Sequence, residues 1–220
     1  MLIINCNEEA SWYMEWKPWT DTVVYYPFDT DFNDYSWNGF NLTNNWWVAI
    51  ETVNWIKCAN FKQISPYWLS RTSWNIITAW PYTYLCRINR TWWWSANPRI
   101  FWWKNGWWIL YIVSWGKYSV EYPNYWWWIP DSSWRHLICF TWNMSTWEFS
   151  SYKDWSLIAS WTSSVRWART WLVIWTSEWN FSNRSDWFAW QMSRLIFEKR
   201  KRPLQEIIEY FNKTKGNFGF

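Results

Sequence analysis

Glycine is nearly absent, at five residues in 220. That is too few for a phosphate-cradling loop, which relies on glycines to bring backbone N–H groups close to the ligand. Histidine occurs once, at position 136, among apolar neighbours and with no obvious partner; a satisfied or surface histidine is the expectation. The four cysteines stand alone at 6, 58, 86 and 139. None forms a C-x-x-C pair, so no zinc site is expected and isolated buried thiols are the default. Asp29, Asp31 and Asp34 are closely spaced, but no glycine lies at the offset a calcium loop requires. Enzyme chemistry has no constellation to stand on, and neither a metal nor a cofactor is expected. No apolar run reaches about 18 residues, so a membrane-spanning helix is not expected. The first residues lack the basic and apolar regions of a signal peptide, and their acidic side chains are foreign to a transit peptide.

Leucine is also scarce, at ten residues, while tryptophan is present 32 times. Leucine is normally among the commonest residues. Several tryptophans stand in apolar runs such as Trp107-Trp108-Ile109-Leu110-Tyr111-Ile112-Val113. Runs such as Trp92-Trp93-Trp94 would crowd a core with bulky rings, each with an N–H to satisfy. The expectation is that many of these positions are leucine in the natural protein, through a nonstandard genetic code. Such codes occur in organelles, which makes an organelle-encoded, mitochondrial protein the expected setting.

Net charge is only +4, too mild to imply a nucleic-acid partner by itself. Its distribution is uneven. Lys199, Arg200, Lys201 and Arg202 are consecutive, Lys213 and Lys215 follow, and Glu8, Glu9 and Glu15 lie near the start. A basic end of this kind suits an anionic partner.

Along the chain, residues 1–95 read as a poorly patterned extension, with loops over Phe28–Asp34. Residues 96–177 read as one α+β unit. Asn105-Gly106 between apolar runs predicts a hairpin, Gly116 a second turn, and His136–Phe140 another strand. A helix is expected over 155–168 and a strand over 171–175. In 178–220, Ser185-Asp186 can cap a helix reaching Lys199. Pro203 suits the start of a second helix, whose apolar face would be Leu204, Ile207, Ile208 and Phe211. Gly216-Asn217-Phe218-Gly219 reads first as a helix stop and turn.

The segment from Glu178 to Phe220 resembles the start of the C-terminal domain of small-subunit ribosomal protein three. Ser193-Arg194-Leu195 stands at that family's Ser-Gln-Leu, Lys199–Arg202 at its basic helix start, and Gly216 and Gly219 at its two glycines. The resemblance implies an α+β fold: a small mixed or antiparallel sheet with packed helices, degenerate KH-like, ending in a two-helix basic segment. It implies a structural, non-enzymatic role in the small subunit of the mitochondrial ribosome, near the mRNA entry. Ribosomal RNA and neighbouring small-subunit proteins would be the partners, with a separate C-terminal fragment completing the domain. RNA would be held by Lys199, Arg200, Lys201, Arg202, Lys213 and Lys215, mainly through phosphates. The rival reading is an organelle-encoded accessory subunit of an inner-membrane respiratory complex.

Overall fold

The computed structural model describes residues 20–44, 47–53, 55–61, 68–71, 82–90, 99–102, 110–113, 117–122, 125–130, 135–143, 145–146, 148–162, 172–175 and 190–215. Among them are fifteen strands and one helix. One antiparallel sheet runs β13 (Ser156–Thr162), β12 (Glu148–Lys153), β11 (Arg135–Asn143), β6 (Tyr82–Arg90), β15 (Trp190–Glu198), β4 (Ile56–Phe61), β3 (Ala49–Val53). β1 (Thr22–Tyr26) pairs with the second half of β15, opposite β6, while β4 pairs with the first half. The other sheet runs β10 (Tyr125–Pro130), β9 (Lys117–Tyr122), β8 (Leu110–Val113), β7 (Arg99–Trp102), β14 (Leu172–Trp175), β5 (Trp68–Arg71), β2 (Thr43–Asn44).

Alternation along the central strands explains the layering. Tyr84, Cys86 and Ile88 of β6, Ile138, Phe140 and Trp142 of β11, and Leu195 and Phe197 of β15 share one buried cluster with Leu69 of β5. This is the core between the two sheets. The intervening residues, Leu85, Leu137, Cys139 and Ile196, point the other way and meet helix α1 (Leu204–Thr214). The central strands are thus buried on both faces.

That double burial corrects the expected fold. Among the described residues the chain is an antiparallel two-sheet assembly with one helix, not a degenerate KH-like α+β fold with a two-helix end. Where a helix was expected to reach Lys199, β15 lies in the middle of a sheet. Met192, Leu195, Ile196 and Phe197 are all buried, and a strand buried on both faces shows no alternation to tell it from a buried helix. Ser193 and Arg194 fall at an irregularity in the β15–β6 register, not on a helix. The helix expected over 155–168 is also a strand for its described part, β13. The segments 1–95, 96–177 and 178–220 all supply strands to the larger sheet.

Other elements follow the sequence. β7 and β8 pair antiparallel on either side of Asn105-Gly106, and β8 pairs with β9 across Gly116; the two turns themselves lie outside the described residues, as does Gly216–Gly219. β14 occupies 172–175. α1 begins after Pro203, as expected, but its buried face is Ile207, Tyr210, Phe211 and Thr214, while Leu204 is exposed. The stripe is the expected one turned toward the helix's C-terminal half. Ile207→Ala is therefore expected to cost about 2–5 kcal/mol, and Leu204→Ala to stay within about 0.5 kcal/mol. Chemical denaturation of the two variants distinguishes them.

Cys58, Cys86 and Cys139 are buried free thiols, matching the sequence reading. Burial pushes the thiols of Cys86 and Cys139 well up from their ordinary range. Three of the tryptophans do not sit as leucines would. Trp37, Trp47 and Trp55 are exposed and take left-handed backbone angles, a conformation as unsuited to leucine as to tryptophan.

Candidate functional site

The basic corner 199–202 turns β15 into α1, and three of its four charges are paired with carboxylates. Arg202 is fully buried and grips the equally buried Glu198 with two bonds, Nε to Oε2 at 2.6 Å and Nη2 to Oε1 at 2.5 Å. Arg200 binds Glu206 of α1 in the same two-pronged manner, at 3.1 and 2.5 Å. Lys201 reaches Glu148 of β12 at 3.1 Å. Thr83 of β6 stitches the corner to the sheet: its hydroxyl donates to the Arg200 carbonyl at 2.7 Å and accepts from Arg202 N–H at 2.8 Å. Lys199, Lys213 and Lys215 are exposed. The six cations expected to gather on RNA are thus divided between internal ion pairs and scattered surface positions.

Beneath α1, Arg87 of β6 donates to Thr214 Oγ1, and the guanidinium groups of Arg87 and Arg202 lie 5.7 and 5.9 Å from the Tyr210 ring centre. Burial lowers the Arg87 pKa to about 10. This cluster seats the helix on the sheet. It is covered on both sides, so it offers no surface to a ligand.

His136, expected to be satisfied or on the surface, is buried with its Nδ1 3.3 Å from Asp154 Oδ2. The same carboxylate accepts the Leu137 N–H at 3.1 Å, and Asp154 N–H donates to the Leu137 carbonyl at 2.7 Å. Asp154 is thereby used to close the β12–β13 turn onto β11. No group of three or more potential metal ligands occurs among the described residues.

An organised polar surface among the described residues is the loop 27–42, which carries the chain from β1 in the larger sheet to β2 in the smaller. Phe28 and Leu42 sink into the core at its two ends, and Phe32 and Phe40 pack against that core. Asp34 holds the middle. Its carboxylate accepts the N–H groups of Tyr25 at 3.0 Å, Ser36 at 2.9 Å and Phe40 at 3.0 Å. Asn41 Oδ1 accepts the Asp34 N–H at 2.9 Å, and Tyr26 OH donates to the Phe40 carbonyl at 2.5 Å. The loop backbone is thus fixed by side chains, as an isolated surface segment must be if its shape is to persist.

What this frame presents outward is a small constellation. Asp31 accepts from Asn33 N–H at 2.9 Å, Asn33 Nδ2 at 2.6 Å and Tyr35 OH at 3.4 Å. The Tyr35 hydroxyl is also 3.5 Å from Thr30 Oγ1. Tyr35 and Asn33 are exposed. A carboxylate, an amide, a hydroxyl and an aromatic face converge here, giving donors, acceptors and an apolar plane in one place. Nearby Asp29 has its pKa raised by burial, against the opposing pull of Arg194 and Lys57. Sequence reading saw the three aspartates and the loop, but not their use. Asp34 and Asp31 bind backbone and neighbouring side chains, and the fold brings Tyr35 beside Asp31.

No family profile matches the chain, and no curated protein matches it. Solved structures do. A structure of botulinum neurotoxin type C, from work tying its cell entry to interaction with two ganglioside molecules, matches with TM-score 0.68 and 11% identity over 87% of this chain and 51% of that one. The binding domain of Paraclostridial Mosquitocidal Protein 1 matches with TM-score 0.68 and 14% identity over 87% and 52%. The binding domain of botulinum neurotoxin DC in complex with rat synaptotagmin II matches with TM-score 0.68 and 10% identity over 87% and 51%; the same binding domain was also solved in complex with SialylT. The chain spans about half the length of the structures it matches. At these identities the likeness is one of fold.

It overturns the resemblance to small-subunit ribosomal protein three. With that go the structural role in the mitochondrial small subunit, ribosomal RNA and neighbouring ribosomal proteins as partners, the separate C-terminal fragment, and the respiratory-complex alternative. The physical reason lies in β15. The resemblance places Ser193–Leu195 and Lys199–Arg202 on a helix–helix frame, and the first half of that frame is a central strand.

Proposed function

We propose that the chain is a non-catalytic recognition module that binds a glycan through the loop 27–42. The observation that carries this reading is the likeness in fold to toxin binding domains across 87% of the chain. Those proteins' described ligands include gangliosides and SialylT. The outward groups of the loop suit a sugar. Asp31 and Asn33 can exchange hydrogen bonds with ring hydroxyls, and the Tyr35 ring can lie against the apolar face of a pyranose. The rigid frame around Asp34 limits the ordering cost of binding.

The test is a glycan array probed with the purified chain, followed by ganglioside-bearing liposomes. Tyr35→Ala and Asn33→Ala are each expected to weaken binding about tenfold, equivalent to roughly 1.4 kcal/mol, with an unchanged melting temperature. Binding that survives both substitutions would move the site elsewhere. A second reading is a protein receptor, favoured by the neighbour solved with rat synaptotagmin II. A chain silent on every glycan but retained by a cell-surface protein would establish it.

A further inference from the structure

We propose that positions 37, 47 and 55 are glycine in the protein as its source organism makes it, the codon there having been read as tryptophan.

Three independent features converge on these sites. The first is backbone conformation. Trp37, Trp47 and Trp55 have φ of +73°, +49° and +69°. Left-handed backbone puts a Cβ too close to the following carbonyl, and glycine alone adopts it without cost. Gly39, two residues after Trp37, has nearly the same φ, +69°, with open space around it. Only five non-glycine residues among those described have positive φ, and three of them are tryptophan.

The second is exposure. The three residues are 91%, 84% and 95% exposed. An indole is the largest apolar side chain, and here it is held in water against a strained backbone, with nothing gained by burial.

The third is turn chemistry. Val53 pairs with Ile56 in the β3–β4 hairpin, so two residues of the sequence, Asn54 and Trp55, separate the paired positions. That spacing favours Asn-Gly above other pairs, because the type I′ turn needs positive φ at both central residues, and Trp55 stands where the glycine would. Trp47 directly precedes Val48, whose carbonyl accepts from Asn44 Nδ2 at 2.8 Å and whose N–H donates to Asn44 Oδ1 at 3.1 Å. Trp37 lies in the tight stretch between Ser36 and Gly39. The chain's shortage of glycine, five residues against 32 tryptophans, is the composition such a misreading leaves behind.

Not every tryptophan shares this signature. Trp142 is buried and packs on Tyr82 and Phe149, with ring centres 5.7 and 5.6 Å away. Trp155 lies 4.5 Å from the Phe211 ring of α1. The proposal is confined to the three positions where the indole touches no core and the backbone is left-handed. It also removes Trp37 from the surface of the loop 27–42 and leaves Tyr35 as its exposed aromatic.

Peptide mass spectrometry of the protein purified from its source decides the matter. The peptides spanning 37, 47 and 55 are expected at glycine mass. Tryptophan or leucine mass at these positions overturns the proposal. In the recombinant tryptophan-bearing chain, W37G, W47G and W55G are each expected to raise the folded-to-unfolded ratio about fivefold or more. Unchanged or lowered melting temperatures in all three would equally overturn it, because the strain on which the argument rests would be absent.

Discussion

Arg202→Ala is expected to destabilise the chain by about 3–5 kcal/mol, a large share of what holds a domain of this kind folded. Both partners of the Arg202–Glu198 pair are fully removed from water. The alanine variant leaves the Glu198 carboxylate buried beside β15 without its two guanidinium donors. Arg200 Nε, 3.7 Å away, is too distant to replace them. Glu198→Ala should be comparably damaging, since it takes from the buried Arg202 guanidinium the two carboxylate oxygens it binds, with Glu206 farther off at 4.0 Å. The double variant Glu198→Leu/Arg202→Met removes both charges and should recover much of the loss, because an apolar pair of similar volume escapes the desolvation penalty. Urea denaturation of the two single variants and the double one gives the coupling directly. If the double variant is as unstable as the sum of the singles, the pair is not acting as a unit and the corner is held by other contacts, such as Thr83.

The corner shows why sequence misled on function. Four adjacent cations read as a face for an anion, and charge runs are usually solvated. Here alternation decides otherwise. Glu198 is the last residue of β15 on the helix-facing side, and the chain reverses so that Arg202 falls back over it. Glu206, one turn into α1, then meets Arg200. The acidic partners at 148, 198 and 206 were visible in the sequence, but their approach depends on the sheet order, which no local pattern encodes. Strands with hairpin punctuation were legible for the opposite reason: the sequence signals at Asn105-Gly106 and Gly116 are local, and β7, β8 and β9 pair on either side of them. α1 was legible from its stripe and its proline. β15 was not, because both its faces are buried. The loop 27–42 was legible as a loop from its Asp, Asn and Phe clusters. Its role as a rigid bridge was not, since no local pattern shows that the Asp34 carboxylate takes N–H donors from Tyr25 and Phe40.

The tryptophans supply a final test with opposite signs at different sites. Trp142→Ala is expected to cost about 3–5 kcal/mol, whereas Trp55→Gly should stabilise. Trp142 lies on the inner face of β11, between Tyr82 of β6 and the edge of Phe149 on β12. Truncating it removes an aromatic from the core between the sheets and leaves a cavity that rigid strands on three sides cannot close. Trp55 fills no space and sits on a strained turn, so losing its side chain relieves the backbone and sacrifices no packing. Thermal melts of the two variants, in the same background, should move in opposite directions. If both substitutions destabilise, the tryptophans contribute alike wherever they stand, and exposure and φ do not separate packed rings from misplaced ones. If Trp142→Ala is neutral, the core at β11 tolerates the missing ring, and the two sheets are held together mainly by Phe140, Tyr84 and Phe197 beside it.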